Sequence, residues 1–135
     1  MSAHYDLQTF KTVCGSTGRH KDIELLGNVL KDAQAHYNLN QKADVLYAIS
    51  DALDGFQFSN SAAWKNNPVP NVTIIVDSYN CHFREDKSKQ VYLAFMYMNT
   101  KNKWAIKSFH PSTVAIPAPN NAIAKALISA NKGGS

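Results

Sequence analysis

The sequence predicts an α+β protein in which helices come first and an antiparallel sheet follows. Before about residue 55, apolar residues recur at intervals of three and four, as they do on one face of a helix. After that point, apolar and polar residues alternate, as in strands that bury one face. With 135 residues and a hydrophobic content of 44%, the chain is predicted to form a single domain over residues 1–135.

Three helices are predicted before the sheet. The first runs from about Tyr5 to Cys14, with Asp6 as its N-cap, and it ends at the glycine-rich turn of residues 15–18. The second covers about residues 22–36 and the third about residues 40–53, and each has an apolar stripe along one side.

The strands begin where the third helix is predicted to end, at Asp54 and Gly55. Four strands are predicted, a short one at Phe56 and Phe58 and three longer ones at about residues 71–82, 90–98 and 104–110. Residues 112–135 are predicted to be a C-terminal extension, in which a Pro-rich connector leads to a last helix at about residues 121–131.

The last two strands are predicted to pair antiparallel, because the link from Asn99 to Lys103 is too short for a parallel crossover. If the loop has three or five residues, Met98 lies opposite Trp104 and Tyr92 lies opposite His110. A loop of two or four residues would shift the register by one and make the second pair diagonal.

Under the first register, the side chains of Ser108 and Ile106 share the face of Tyr92. Lys107 and Phe109 then point to the opposite face, because successive side chains of a strand alternate. The end of the hairpin is thus predicted to collect a phenol, an imidazole and a hydroxyl group, with an amine nearby.

Charge divides the chain into two unequal parts. Residues 1–86 hold seven Lys/Arg and ten Asp/Glu, whereas residues 87–135 hold seven lysines and no acidic residue. Such a division predicts a surface of positive potential, which attracts polyanions such as RNA. An acidic partner protein would explain the division equally well.

Several classes of protein are disfavoured by what the sequence lacks. It has no apolar run of about 18 residues that would span a membrane, and no signal peptide is visible, so we expect a cytoplasmic protein. The two cysteines, Cys14 and Cys81, have no metal or redox spacing and are expected to be reduced thiols. No cluster of Asp, Glu, Cys or His has the spacing of a metal site, and no cofactor is expected.

The residues at the hairpin end suit metal-independent cleavage of RNA. An imidazole titrates near neutral pH, so His110 can take a proton from a 2′-hydroxyl group or give one to the leaving oxygen. Lys107 can stabilise phosphate charge, and Tyr92 can donate a hydrogen bond or stack on a base. The strand at 71–82 is predicted to lie alongside, and His82 and Arg84 stand near its end.

Several segments together resemble the motility quorum-sensing regulator (MqsR) family. AHYDLQTFK resembles the family's opening, VLKDAQAHYNLNQKADVLYAISDAL its two middle helices, and VDSYNCHF its Gln-Asp-Val-Tyr strand. QVYLAF matches its Val-Tyr-Leu-Lys strand and IKSFHP its final Ser-Phe-Lys strand. The resemblance covers about residues 3–111 in the same order.

The resemblance implies a RelE-like toxin that cleaves messenger RNA and is neutralised by a partner antitoxin protein. Tyr92 falls on the family's functional tyrosine, and His110 falls where the family has its terminal functional lysine. The lysine of the family's Phe-Tyr-Lys-Ser run falls on Asn60, with Lys65 as the nearby cation, and its glutamine falls on Val76. His110, together with His82, would then supply the acid–base chemistry.

Two functions are therefore carried forward from the sequence. The first is a metal-independent endoribonuclease toxin, with His110, Tyr92 and His82 in catalysis and with phosphate contacts from three cations, Arg84, Lys107 and Lys65. The alternative is a catalytically inactive module on the same scaffold that binds RNA or protein, a reading motivated by the departures at Asn60 and Val76.

Overall fold

The computed structural model describes residues 2–69 and 71–112, which form an α+β fold with a five-stranded sheet. The helices are α1 (Leu7–Cys14), a 3₁₀ helix (Thr17–Asp22), α2 (Val29–Tyr37), and α3 (Lys42–Tyr47) with a π-helical continuation (Ala48–Ala52). The strands are β1 (Ile23–Leu25), β2 (Leu53–Ala63), β3 (Ile75–Phe83), β4 (Gln90–Met98) and β5 (Lys103–His110). The predicted C-terminal helix and the extension beyond Ser112 lie outside the described residues. No helix in the described part is long and apolar enough to cross a membrane.

The sheet has the strand order β1-β5-β4-β3-β2, and all neighbouring strands except β1 and β5 are antiparallel. β1 runs parallel to β5, with Ile23 opposite Trp104. The prediction of an antiparallel sheet is therefore wrong at this edge, and the sheet is mixed. The cause lies in residues 22–26, which the sequence assigned to a helix. Gly27, with φ 51°, separates this stretch from α2, and the Leu26 N–H donates to the Ile106 carbonyl.

Gly55 also has a different role from the predicted one. It lies inside β2 and not at the end of a helix, and its φ of 64° suits glycine. A Cβ atom at this position would collide with the His82 ring on the neighbouring strand β3. The missing side chain therefore makes room for an imidazole on the sheet.

One face of the sheet packs against the helices around a group of aromatic rings. The Phe10 ring of α1 stacks on Phe95 of β4, with 4.0 Å between centroids and an interplanar angle of 3°. The ring of Tyr79 of β3 is nearly parallel to that of Phe95, with 6.0 Å between centroids, and the ring of Trp104 of β5 lies 5.2 Å from that of Phe10. These contacts fix α1 over the middle of the sheet.

A buried carboxylate joins the N-terminal segment to β3. Asp77 has no exposed surface, and its oxygens accept hydrogen bonds from the backbone N–H groups of His4 at 3.1 Å and Tyr5 at 2.7 Å. The Tyr5 hydroxyl group donates to the Ile75 carbonyl at 2.6 Å. Because hydrogen bonds to a charged acceptor are stronger than neutral ones, this arrangement holds the residues before α1 against the sheet.

Replacing Phe10 by alanine should lower the free energy of unfolding by about 3–5 kcal/mol, because the change removes a fully buried ring from the stack on Phe95. Urea unfolding followed by circular dichroism measures this. Thr12→Ala, in the exposed part of the same helix, is the control and should change stability by less than about 1 kcal/mol. Equal losses in the two variants would contradict the proposed packing.

Stability should fall as pH rises above about 9. Burial raises the pKa of Cys14 and Cys81 from 9.0 to about 12, and burial also raises the pKa of Tyr5, Tyr37 and Tyr79. The folded state therefore keeps protons that the unfolded state loses between about pH 9 and pH 12, and alkaline pH favours unfolding. Urea midpoints measured at pH 8, 9.5 and 10.5 should decrease in that order.

The same burial predicts that the thiols resist alkylation. Iodoacetamide at pH 8 should modify neither cysteine of the folded protein and both cysteines in urea, as counted by mass spectrometry. Rapid modification of the folded chain would show that the thiols are more accessible than this packing allows.

Candidate functional site on the far face of the sheet

Tyr92 and His110 meet on the face of the sheet that points away from the helices. This face, called the far face below, carries Tyr92, Ala94 and Met96 along β4. Tyr92 is directly opposite His110 in the β4–β5 ladder, and the two rings stack with 5.3 Å between centroids and an interplanar angle of 28°. The pairing predicted from the sequence is therefore present.

The register that produces this pair is not uniform along the hairpin. Met98 pairs with Lys103 and Tyr97 with Trp104, so the turn has four residues and the predicted pairing of Met98 with Trp104 is wrong. A β-bulge at Lys107 then adds one unpaired residue to β5. The bulge shifts the register by one, and Tyr92 faces His110 in spite of the four-residue turn.

The bulge also changes which side chains share a face. Ile106 pairs with Phe95 and is fully buried on the helix side, so the prediction that it lies beside Tyr92 is wrong. Ser108 pairs with Ala94 on the far face, as predicted. Lys107 was predicted on the helix side, but it lines a pocket together with Tyr92. Both errors have one cause: alternation of side chains is interrupted at a bulge.

The imidazole of His110 is held in a defined tautomer. Its Nδ1 lies 2.9 Å from the carbonyl oxygen of Pro111. Since a carbonyl oxygen can only accept, Nδ1 must carry the hydrogen, and in the neutral ring Nε2 keeps its lone pair. Nε2 is therefore the nitrogen that can accept a proton from a bound molecule.

Asn80 completes a row of polar side chains across three strands. It pairs with Tyr92 in the β3–β4 ladder, so Asn80, Tyr92 and His110 follow one another across the sheet. Asn80 is only 7% exposed, and its side-chain oxygen accepts a hydrogen bond of 2.6 Å from the Ser112 hydroxyl group. The amide is thus fixed beside the tyrosine.

A pocket of about 260 Å³ lies beside this row and extends from β2 to β5. It is called the sheet-face pocket below. Its lining residues come from four strands and from the loop after β2: Asn60, Ala62, Ala63, Trp64, Lys65, Asn66, Val76, Ser78, Tyr92 and Lys107. Lys65 and Asn60 thus share one pocket with Tyr92, although they are distant in sequence.

Two cations reach the sheet-face pocket, Lys65 and Lys107. Both side chains are exposed, and neither forms a salt bridge with another described residue. Other basic residues differ in this respect, since Lys101 and Lys103 both lie within 4 Å of Glu24. Positive charge at the pocket is therefore not neutralised by the described acidic groups, and the pocket suits an anion.

The other two predicted site residues lie outside this pocket. His82 is on the far face but pairs with Gln90, beyond the row of Tyr92, and its Nδ1 lies 3.2 Å from the Phe83 carbonyl. Arg84 is turned towards the end of the helices, where its guanidinium donates to the Asp51 carbonyl and lies 3.9 Å from the Asp54 carboxylate. The structure groups Tyr92, His110, Lys107 and Lys65, and leaves these two apart.

Four polar or aromatic residues of the site were not predicted from the sequence: Asn80, Ser78, Trp64 and Asn66. Asn80 could have been found from the alternation along β3, which places it on the same face as His82. Trp64 and Asn66 belong to the irregular stretch between β2 and β3, where no periodicity indicates which way a side chain points.

Within residues 2–69 and 71–112, no group of three or more His, Cys, Asp or Glu side chains is placed so that it could hold a metal ion. Comparisons of the chain with protein-family models, with curated proteins and with solved structures give no match. The site is therefore interpreted from its own geometry.

Deleting Lys107 should leave Tyr92 opposite His110. The residues on either side of the deletion, Ile106 and Ser108, already pair with consecutive residues of β4, so the ladder becomes regular without any change of partners. A nuclear Overhauser effect between the two rings should persist in the deletion variant.

Deleting Ala105 is the matched control, because it removes one residue from the regular part of the same strand. Either Ile106 and Lys107 both change face or Trp104 moves to the far face, and the free energy of unfolding should fall by about 2–5 kcal/mol. Loss of the ring contact on deletion of Lys107, with the contact kept on deletion of Ala105, would contradict the assigned bulge.

Proposed function

We propose that this protein is a metal-independent endoribonuclease that cleaves messenger RNA, and that it is the toxin of a toxin–antitoxin pair with a RelE-like fold. The observation that carries the proposal is the stacked pair of Tyr92 and His110 on the far face, with Lys107 lining the adjoining pocket. The pair combines a proton acceptor with an aromatic ring, and the lysine adds a phosphate-binding charge.

The chemistry follows from the positions of these groups. Nε2 of His110 takes the proton of a ribose 2′-hydroxyl group, and the 2′-oxygen attacks the adjacent phosphorus. The bond from phosphorus to the 5′-oxygen breaks, leaving a 2′,3′-cyclic phosphate. The departing oxygen receives a proton from the Tyr92 hydroxyl group or from water. Lys107 stabilises the charge that develops on the phosphorane oxygens.

The resemblance to the MqsR family supports the proposal at Tyr92 and His110, which fall on its functional positions. The structure adds an argument about Asn60, which stands where the family has a lysine. Because Lys65 lines the same pocket as Asn60, it is suitably placed to supply the cation that Asn60 does not. The partner in this proposal is an antitoxin protein that neutralises the nuclease.

A second candidate function is a module that binds RNA without cleaving it. Val76, which stands where the family has a glutamine, lines the sheet-face pocket and gives it an apolar side chain that cannot exchange protons. Lys65 and Lys107 would hold RNA by its phosphates whether or not the RNA is cleaved.

The test is cleavage of end-labelled single-stranded RNA in the presence of a chelator, with and without purified ribosomes. The wild-type protein should produce fragments that end in a cyclic phosphate. His110→Ala should lower the cleavage rate by about 10²- to 10⁴-fold, because it removes the proton acceptor. Tyr92→Phe keeps the ring and removes only the hydroxyl group, and it shows whether Tyr92 or water protonates the leaving oxygen.

Two variants on the helix side of the sheet serve as controls. His36→Ala removes an exposed imidazole and Lys31→Ala an exposed amine, both from α2. Neither should change the cleavage rate. Full activity of His110→Ala would reject the proposed base. Salt-dependent RNA binding with no cleavage under either condition would reject the nuclease in favour of the binding module.

A further inference from the structure

The sheet-face pocket contains functional groups that phosphate binding does not require. Two amide side chains, Asn60 and Asn66, line it, and neither makes a side-chain hydrogen bond with another described residue. The half-buried indole of Trp64 lies between them in sequence and lines the same pocket. A phosphate group accepts hydrogen bonds from lysines and amide N–H groups, but it leaves the amide oxygens and the face of the indole ring without a partner.

This combination matches an unpaired nucleobase. Each asparagine amide has N–H donors and a carbonyl acceptor, and these can form hydrogen bonds with the complementary groups at the edge of a base. Aromatic rings such as those of Trp64 and Tyr92 present surfaces on which a base stacks. Val76 and the two alanines of β2 add the apolar surface that a base buries on binding.

The size of the pocket limits how much of the RNA it can take. Its volume of about 260 Å³ lies just below the range of roughly 300–1,000 Å³ that is typical of sites for drug-sized ligands. One base fits this size better than two stacked bases. Lys107 and Lys65 line the pocket too, so the phosphates on either side of that base can be held at the same time.

We propose that the sheet-face pocket is a base-recognition subsite that takes one unpaired nucleobase next to the cleaved phosphate, with Asn60 and Asn66 selecting the base and Trp64 stacking on it. The subsite rests on the proposed function for its place beside the cleaved phosphate. It adds sequence selectivity, which the Tyr92–His110 pair alone does not provide.

Tryptophan fluorescence tests the subsite without any cleavage. The chain has two tryptophans, and Trp104 is buried in the core, so a ligand in the pocket should quench Trp64. The four nucleoside 3′-monophosphates are titrated separately into the full-length protein, with inorganic phosphate as the comparison. One base should quench at the lowest concentration, and phosphate should not quench.

Variants assign the selectivity to particular groups. Asn60→Ala or Asn66→Ala should weaken binding of the preferred nucleotide by roughly tenfold and reduce its advantage over the other three. Lys107→Ala should weaken all four nucleotides to a similar extent, because phosphate contacts carry no base information. Trp64→Phe should abolish the quenching, and Lys31→Ala should have no effect. Thermal unfolding of each variant confirms that it is folded.

The outcomes separate the subsite from the nuclease. Selective quenching that persists in His110→Ala, or in a wild-type protein that cleaves no RNA, supports the subsite independently of catalysis. Cleavage by a protein that binds all four nucleotides equally would overturn the subsite and leave the nuclease intact. Selectivity that is unchanged in both asparagine variants would also overturn it.

Discussion

The β-bulge at Lys107, which is one extra residue in β5, decides which side chains meet on the far face of the sheet. Before the bulge, the register is set by the four-residue turn, and after it the register is one residue further along. The shift places His110 opposite Tyr92 and puts Lys107 and Ser108, which are consecutive in sequence, on the same face. It also leaves Ile106 and Phe109 in the core on the other face. Without the bulge, a four-residue turn could not both keep Ile106 in the core and place His110 opposite Tyr92.

The strands that carry the site are held in place by aromatic packing on the helix side of the sheet. Tyr79 and Phe95 lie within the aromatic stack on the helix side. The neighbours of Tyr79 in sequence lie on the opposite face, where Ser78 lines the pocket and Asn80 belongs to the polar row. Because successive side chains of a strand point in opposite directions, packing on one face fixes side-chain positions on the other. The hydrogen bonds to Asp77 add a second restraint, which ties the N-terminal segment to the same strand β3.

Regular periodicity made much of this fold predictable. The α+β class, α1 with its Asp6 cap, and strands β4 and β5 follow from patterns that repeat over many residues. β1 was not predicted, because a three-residue strand offers too few positions to distinguish a period of two from a helical period. Gly55 looked like a helix end, since a glycine with positive φ serves equally well at a helix C-terminus and opposite a large side chain on a neighbouring strand.

The candidate site was predictable to the extent that it depends on cross-strand pairing. Tyr92 and His110 were placed together by a register that assumed a three- or five-residue loop, and the pairing is present because the bulge offsets the four-residue turn. The face on which Lys107 lies could not be predicted, because nothing in the local sequence distinguishes a bulged residue from a paired one. The grouping of Lys65 with Lys107 is a property of the irregular stretch after β2, whose course depends on contacts across the whole sheet.

The position of β5 in the fold has a consequence for how the protein is made. β5 lies between β1, which comes early in the chain, and β4, so it completes both ladders and supplies Phe109 to the core. A chain emerging from the ribosome therefore holds an unpaired β1 and an exposed hydrophobic surface until β5 is released. His110 arrives with that strand, so no shorter nascent chain can contain the assembled pair of rings. The complete sheet and the pair of rings would therefore form together, once β5 is available.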